Sequence, residues 1–345
     1  MTPIRINLAL QGGGAHGAFT WGVLDRLLDE PWIEIAGISG TSAGALNGAA
    51  LKAGLVAGGT EGARAALDRL WAQVGAVGDL RLTHWMAAFT PGAGTVARML
   101  EAALPWSLTD AATRMVSPYA YGPFYRNPLE RVVEGFDYDR VCACDPPALF
   151  VGATNVRTGK VRIFEGRAIT TEAILASACL PTLFQAVEVT DPDTGETEAY
   201  WDGGFTGNPA LFPLFADDLP EDIVVVSINP LERAEVPVTG QEIQNRINEI
   251  SFNASMLREL RSIQMVKDLI AAGRLERGTM KDLRVHMIAD DALMRQLNVA
   301  TKLVPNPVVL DELKRAGRAA AARFLVEAAP QLGRAATVDL HRLCD

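Results

Sequence analysis

The chain has 345 residues, long enough for one large domain with a full core. Its 49% hydrophobic, 21% charged and 7% aromatic composition excludes a disordered, collagenous or biased-repeat protein. With 32 Lys plus Arg against 41 Asp plus Glu, the net charge of -9 argues against broad attraction to nucleic acid or anionic lipid, so any membrane contact has to be local and mostly apolar.

The first ten residues lack the charged stretch, long apolar run and small-residue cleavage site of a signal peptide, which makes the cytoplasm the expected compartment, with export by another route left open. Residues 4–10 read as a buried strand that runs into Gly12-Gly13-Gly14-Ala15-His16-Gly17. Phe19, Val23, Leu24, Leu27 and Leu28 then recur at helical spacing before Pro31. Residues 33–39 form a second strand, followed by Gly40-Thr41-Ser42-Ala43-Gly44 and an Ala/Gly/Leu-rich helix through Ala53. The uncharged stretch at residues 35–51 contains Gly37, Gly40, Gly44 and Gly48, which suits a buried turn better than a membrane span. Strand-like runs recur at 148–153, 161–164, 185–189 and 223–228, with helical stretches near 62–74 and 171–178 between them. This alternation implies an α/β layer structure with a mainly parallel sheet.

Two regions break the rhythm. Residues 80–128, with Trp85, Met86, Phe89, Trp106 and Phe124, are irregular and fit a cap or pocket wall: an acyl-chain pocket, an interfacial lid, or simply core. Residues 241–272 read as a long helix, since Ile243, Ile247, Ile250, Ala254 and Leu257 step by four, three, four and three. Residues 257–284 carry seven basic and four acidic side chains, a solvated face first and an anionic-headgroup site second. A strand at 283–288 and an Ala-rich helix at 311–328 close the chain. The expected division is a domain over 1–235 and a mostly helical extension over 236–345 packed on it. Cys142, Cys144, Cys179 and Cys344 form neither a C-x-x-C pair nor a four-ligand zinc set, and are expected to be structural thiols.

Three motifs carry chemistry. Gly40-Thr41-Ser42-Ala43-Gly44, between a strand and a helix, has the pattern of a nucleophile elbow: a sharp turn lifts a serine off the sheet edge to a helix N-terminus, and the positions two before and two after it must be small. The glycine run at Gly12–Gly17 matches G-x-G-x-x-G with Glu34 twenty residues beyond Gly14, so a dinucleotide-binding oxidoreductase is a rival. Against it, Glu34 opens its strand, whereas a ribose-binding acid belongs at the far end. The other meaning is an oxyanion hole, with the amides of Gly13 and Gly14, and Ala43 as a third, converging on a developing negative charge. Asp202-Gly203-Gly204 follows a strand at 198–201 and puts a carboxylate at a strand end; alone it is also an ordinary turn.

In order and spacing, the loop at Gly12–Gly17, the elbow at Gly40–Gly44 and Asp202-Gly203-Gly204 resemble the patatin-like phospholipase family. A fourth similar block is Ala176-Ser177-Ala178-Cys179-Leu180-Pro181, and residues 248–262 resemble the C-terminal extension of some bacterial members, with no chemistry attached. The resemblance implies a three-layer fold and a Ser42–Asp202 dyad with a glycine-rich oxyanion loop. It further implies hydrolysis of lipid carboxylic esters, in the manner of a phospholipase A or lipid esterase, through an acyl-serine, with no cofactor or metal. The implied partners are a lipid or other ester and transient membrane-surface contact, without nucleic acid. The family often has Arg or Lys where this chain has His16, a position implied to help hold substrate phosphate, and a neutral imidazole serves that poorly. A catalytically weak lipid-binding or scaffold protein on the same fold is the alternative. Chain order also admits a Ser42–Asp202–His286 triad, although Val285, Met287 and Ile288 make His286 look like part of an ordinary strand. His84 and His341 have no partner motif.

Overall fold

The computed structural model describes residues 3–77, 117–119, 125–297 and 299–344. Of the region expected to form a cap, residues 80–116 and 120–124, including His84, Trp85, Met86, Phe89, Trp106 and Phe124, lie outside the described residues.

The amino-terminal half follows the expected alternation: β1 (Ile4–Leu10), α1 (Gly17–Leu27), β2 (Ile33–Thr41) and α2 (Ala43–Val77), the last kinked at Gly58 and Gly59. Short helices α3 (Glu130–Glu134) and α4 (Tyr138–Val141) lead into β3 (Ala148–Asn155), β4 (Val161–Glu165), α5 (Thr171–Ser177), β5 (Val187–Thr190), β6 (Thr197–Asp202) and β7 (Asp222–Val226). The chain continues through α6 (Gly240–Ala271), β8 (Arg284–Ile288), α7 (Asp291–Met294), α8 (Val299–Leu303), α9 (Pro307–Glu327) and α10 (Leu340–Cys344).

The strands form one mixed sheet in the order β5-β6-β3-β2-β1-β7-β8, with β4 also on β3. Its centre, from β3 through β2, β1 and β7 to β8, is parallel, whereas β4, β5 and β6 add antiparallel pairings. Strand side chains alternate between two cores. Ile6, Leu8, Leu10, Val224 and Val226 join one cluster with residues of α1, α2 and α9, and Ala9, Ile223 and Val225 join the other with Met256, Leu260 and Ile263 of α6. Both faces of the sheet are thus covered, which is why β7 reads as a continuous apolar run. Among the described residues, no helix is long and apolar enough to cross a membrane.

Helix α6 begins where a capping box dictates: the Thr239 hydroxyl accepts from the Glu242 N–H, and the Glu242 carboxylate accepts from the Thr239 N–H. The isoleucine stripe that marks this helix in the sequence is not its buried side. Ile243, Ile247 and Ile250 are exposed, while Asn253, Met256, Leu260 and Ile263 face inward. The inward face has polar partners to satisfy at the sheet edge: Asn253 Oδ1 accepts from Gln11 Nε2 at 3.1 Å, and the Ser255 hydroxyl accepts from the Asn208 N–H at 3.3 Å.

Candidate active site

Strand β3 is the template for the site. Along one of its edges Gly152 pairs with Thr41 of β2. Where β2 turns into α2, β6 continues on that edge, and Ala153 pairs with Asp202. The edge is the same one because β4 pairs with Ala153 and Thr154 from the opposite side. Two consecutive residues of one strand therefore bring Asp202 beside Thr41, the residue before Ser42.

Ser42 has φ 54, in the left-handed region that costs a side-chain-bearing residue on the order of 1–3 kcal/mol. Close packing enforces that turn. A Cβ on Gly44 would stand 2.0 Å from the Leu10 carbonyl oxygen, and one on Gly40 would stand 2.6 Å from that of Gly44. The Ser42 N–H donates to Ser177 Oγ at 2.9 Å, and the Ser177 hydroxyl donates to the Gly152 carbonyl at 2.7 Å. Two residues on, the Cys179 carbonyl accepts from the Asp202 N–H at 2.8 Å. The Ala176–Pro181 block thus braces both the serine turn and the carboxylate. In the sequence this block stands out as a motif, but nothing in its residues marks the bracing role.

Asp202 is fully buried, and its Oδ1 accepts from the Gly204 N–H at 2.7 Å. Its Oδ2 has no hydrogen bond of good geometry. Burial pushes the carboxyl pKa up to about 7, while the Gly204 N–H and the neighbouring Ser42 hydroxyl favour the ionised form. The adjacent Cys179 thiol is pushed up to about 12 by burial and by Asp202, so among the nucleophiles here the thiol stays protonated and inert.

The glycine loop is pinned at its first residue. The Gly12 N–H donates to Asn208 Oδ1 at 2.6 Å, and its carbonyl accepts from Asn229 Nδ2 at 2.8 Å and Asn208 Nδ2 at 3.3 Å. That commits Gly12 to the scaffold, and Gly14, two residues on, takes φ 58. Ala43 opens α2, so its N–H belongs to the first turn, which has no acceptor within the helix. Gly17 sits against Ala43 and Trp71, and Gly203 against the Gly152 carbonyl. A Cβ on Gly204 would stand 2.2 Å from the Phe252 ring, which packs α6 on the Asp202 loop.

The histidines do not join this arrangement. His16 is buried with Nε2 2.7 Å from the Thr301 hydroxyl, and burial, then the charge of Lys302, drives its pKa well below the usual value. It is a neutral structural group rather than a cation facing an anionic substrate. His286 lies on β8, where its Nε2 donates to Asp222 Oδ1 at 3.0 Å, at the opposite end of β7 from the serine turn. Its carboxylate partner is Asp222, not Asp202. His341 is exposed and contacts Gln264 and Asp268. Glu34 sits at the amino end of β2, paired with Arg5 on the surface, far from where a ribose acid belongs. Among the described residues, no group of three His, Cys, Asp or Glu side chains is placed to hold a metal ion.

No curated protein matches the chain. Among solved structures, VipD from Legionella pneumophila is similar at 13% identity and a TM-score of 0.39, over 94% of this chain and 67% of VipD. The family model described as patatin-like phospholipase matches residues 8–215, from β1 past the Asp202 loop and over more than half of the chain. The chain belongs to the patatin-like phospholipase family, whose members are lipid acyl hydrolases.

Proposed function

We propose that the protein is a serine acyl hydrolase that cleaves carboxylic esters of lipids through a Ser42–Asp202 dyad. The observation that carries this reading is the pairing of Thr41 and Asp202 with consecutive residues of β3, beside a carboxyl group whose pKa is held near neutrality. A free carboxylate is too weak a base to activate a serine hydroxyl at neutral pH, and the burial of Asp202 removes that objection.

Asp202 takes the Ser42 proton as Ser42 Oγ attacks the ester carbonyl. The Gly13 and Gly14 amides, with that of Ala43, hold the resulting oxyanion, and each such donor is typically worth about 2.7–4 kcal/mol. The alcohol leaves with the proton held by Asp202, giving an acyl-serine. Asp202 then takes a proton from water, which attacks the acyl carbon and frees Ser42. No step calls on a cofactor. Because His16 is neutral, the glycine loop offers a phosphate no cation at that position, which favours recognition through the acyl chain over the headgroup.

The test is a panel of esters varied in chain length and headgroup, run on the parent and on Ser42→Ala with fluorophosphonate labelling in parallel. Hydrolysis and labelling should both vanish in Ser42→Ala. Labelling that persists in that variant overturns the assignment.

A further inference from the structure

We propose that Lys302, in the C-terminal region, is a positioning residue for catalysis: through the side chain of Asn229 it polarises the Gly12–Gly13 peptide and strengthens the Gly13 N–H as an oxyanion donor. The inference rests on the proposed role of Gly13.

The geometry is a cation followed by two aligned dipoles. Lys302 Nζ donates to Asn229 Oδ1 at 2.8 Å, and Asn229 Nδ2 donates to the Gly12 carbonyl oxygen at 2.8 Å. That carbonyl and the Gly13 N–H belong to one peptide unit, so charge drawn onto the oxygen leaves the N–H more positive. Successive hydrogen bonds of this kind reinforce one another where the dielectric is low. Asn229 is buried and doubly fixed, since its N–H and Nδ2 both donate to Gln11 Oε1, at 3.1 and 3.2 Å. Helix α8 holds the lysine at the loop: a Cβ on Gly14 would stand 2.3 Å from the Lys302 carbonyl oxygen, so the two main chains are in contact.

The charge at this point is not cancelled. Glu249 of α6 faces Lys302 but is already engaged by Arg233 and Arg246. Arg233 adds like charge, and His16 on the glycine loop is neutral. Burial lowers the Lys302 pKa to about 8, with Glu249 opposing that shift and Arg233 adding to it. The group is therefore mostly charged at neutral pH and loses that charge as pH rises through about 8. Asp202 must be ionised to act as base and gains that form as pH rises through about 7. The kcat of the parent enzyme should thus show two limbs.

The experiment measures kcat and KM for a neutral short-chain ester from about pH 6 to about pH 10, where both groups titrate. It uses the parent, Lys302→Met and Lys302→Arg. Lys302→Met should lower kcat near neutrality roughly tenfold with little change in KM, less than the 10²–10³-fold typical of a deleted donor, and should lose the alkaline limb. Lys302→Arg, charged to beyond about pH 12, should keep the neutral-pH kcat and also lose the alkaline limb. A purely structural lysine would leave the limb in place in both variants, and that result, or a parent profile flat above about pH 8, overturns the proposal. Should Lys302→Met fail to fold, the parent and Lys302→Arg profiles decide it. Failure of the underlying reading looks different, because Ser42→Ala would then hydrolyse the ester as the parent does.

Discussion

Two buried aspartates stand at opposite ends of the same sheet. At the carboxyl edge, Asp202 accepts one backbone N–H on Oδ1 and leaves Oδ2 without an aligned donor. At the amino edge, Asp222 accepts from His286 Nε2 and the Gly333 N–H on Oδ1, and from Arg284 Nε and Nη2 on Oδ2. Burial raises both carboxyls. At Asp202 it prevails and the pKa is about 7, whereas at Asp222 the donors prevail and the pKa falls to about 2. Burial alone therefore does not make a base. A carboxylate left short of donors stays ready to take a proton, and a saturated one is a fastener.

The comparison is broken most sharply by Asp202→Asn. It removes the proposed base and should lower kcat about 10²–10⁴-fold, the usual worth of general-base catalysis. The same change should stabilise the fold. A folded-state pKa raised from 3.8 means that ionising Asp202 in the native protein costs free energy, little below pH 4 and in full above about pH 7. An amide carries no such penalty, so thermal unfolding should show a gain of about 2–4 kcal/mol near pH 8.5 and much less near pH 5. A variant that is inactive but no more stable at alkaline pH would show that Asp202 is not held against its own ionisation.

Asp222→Asn is the opposite experiment. An amide presents donors to the Arg284 guanidinium or to His286, leaving Arg284 with Glu221 as its remaining ion-pair partner, and losing a charge-assisted hydrogen bond of this kind typically costs about 1.5–3 kcal/mol. The fraction that remains folded should label at Ser42 as the parent does, since the two sites lie at opposite edges of the sheet. The sign of the pH dependence is also reversed. The stability Asp222 contributes is present above the unfolded pKa of 3.8 and drains away as pH falls towards about 2, so an acid titration of the parent should show a loss of stability that the variant lacks.

What could be read in advance divides along the same line. The strands, the elbow and its glycines, and the order of the three motifs follow from local pattern, because a buried parallel strand is a short apolar run and a tight turn demands small residues. Gly40, Ser42 and Gly44 announce their geometry within five positions. Residues that act across the fold leave no such mark. Asn208 and Asn229 converge on Gly12 from 196 and 217 positions away, with Lys302 behind Asn229, and an isolated Asn or Lys has no spacing to betray it. The isoleucines of α6 show the converse failure. Their 3.6-residue period marks the helix correctly, yet tertiary contacts with Gln11 and Asn208 chose the face carrying Asn253 and Ser255.

The smallest effect expected in this set, and the finest test of how the carboxyl edge is assembled, comes from Ser177→Ala. The Ser177 hydroxyl accepts from the Ser42 N–H and donates to the Gly152 carbonyl, joining the strained turn to the template strand at the residue that precedes the Ala153–Asp202 pair. Its loss leaves the buried Ser42 N–H unsatisfied, a cost of about 1–3 kcal/mol, which thermal unfolding would register. It also frees the turn to relax from φ 54 while Asp202, still held through the Cys179 carbonyl, stays in place. The serine should then drift relative to its base, and kcat should fall roughly tenfold without a matching rise in KM, as displacement from a productive geometry predicts. Ser177→Thr, which keeps the hydroxyl, should recover most of that loss. Equal kcat in all three proteins would mean that the strain at Ser42 is maintained by the glycine contacts alone.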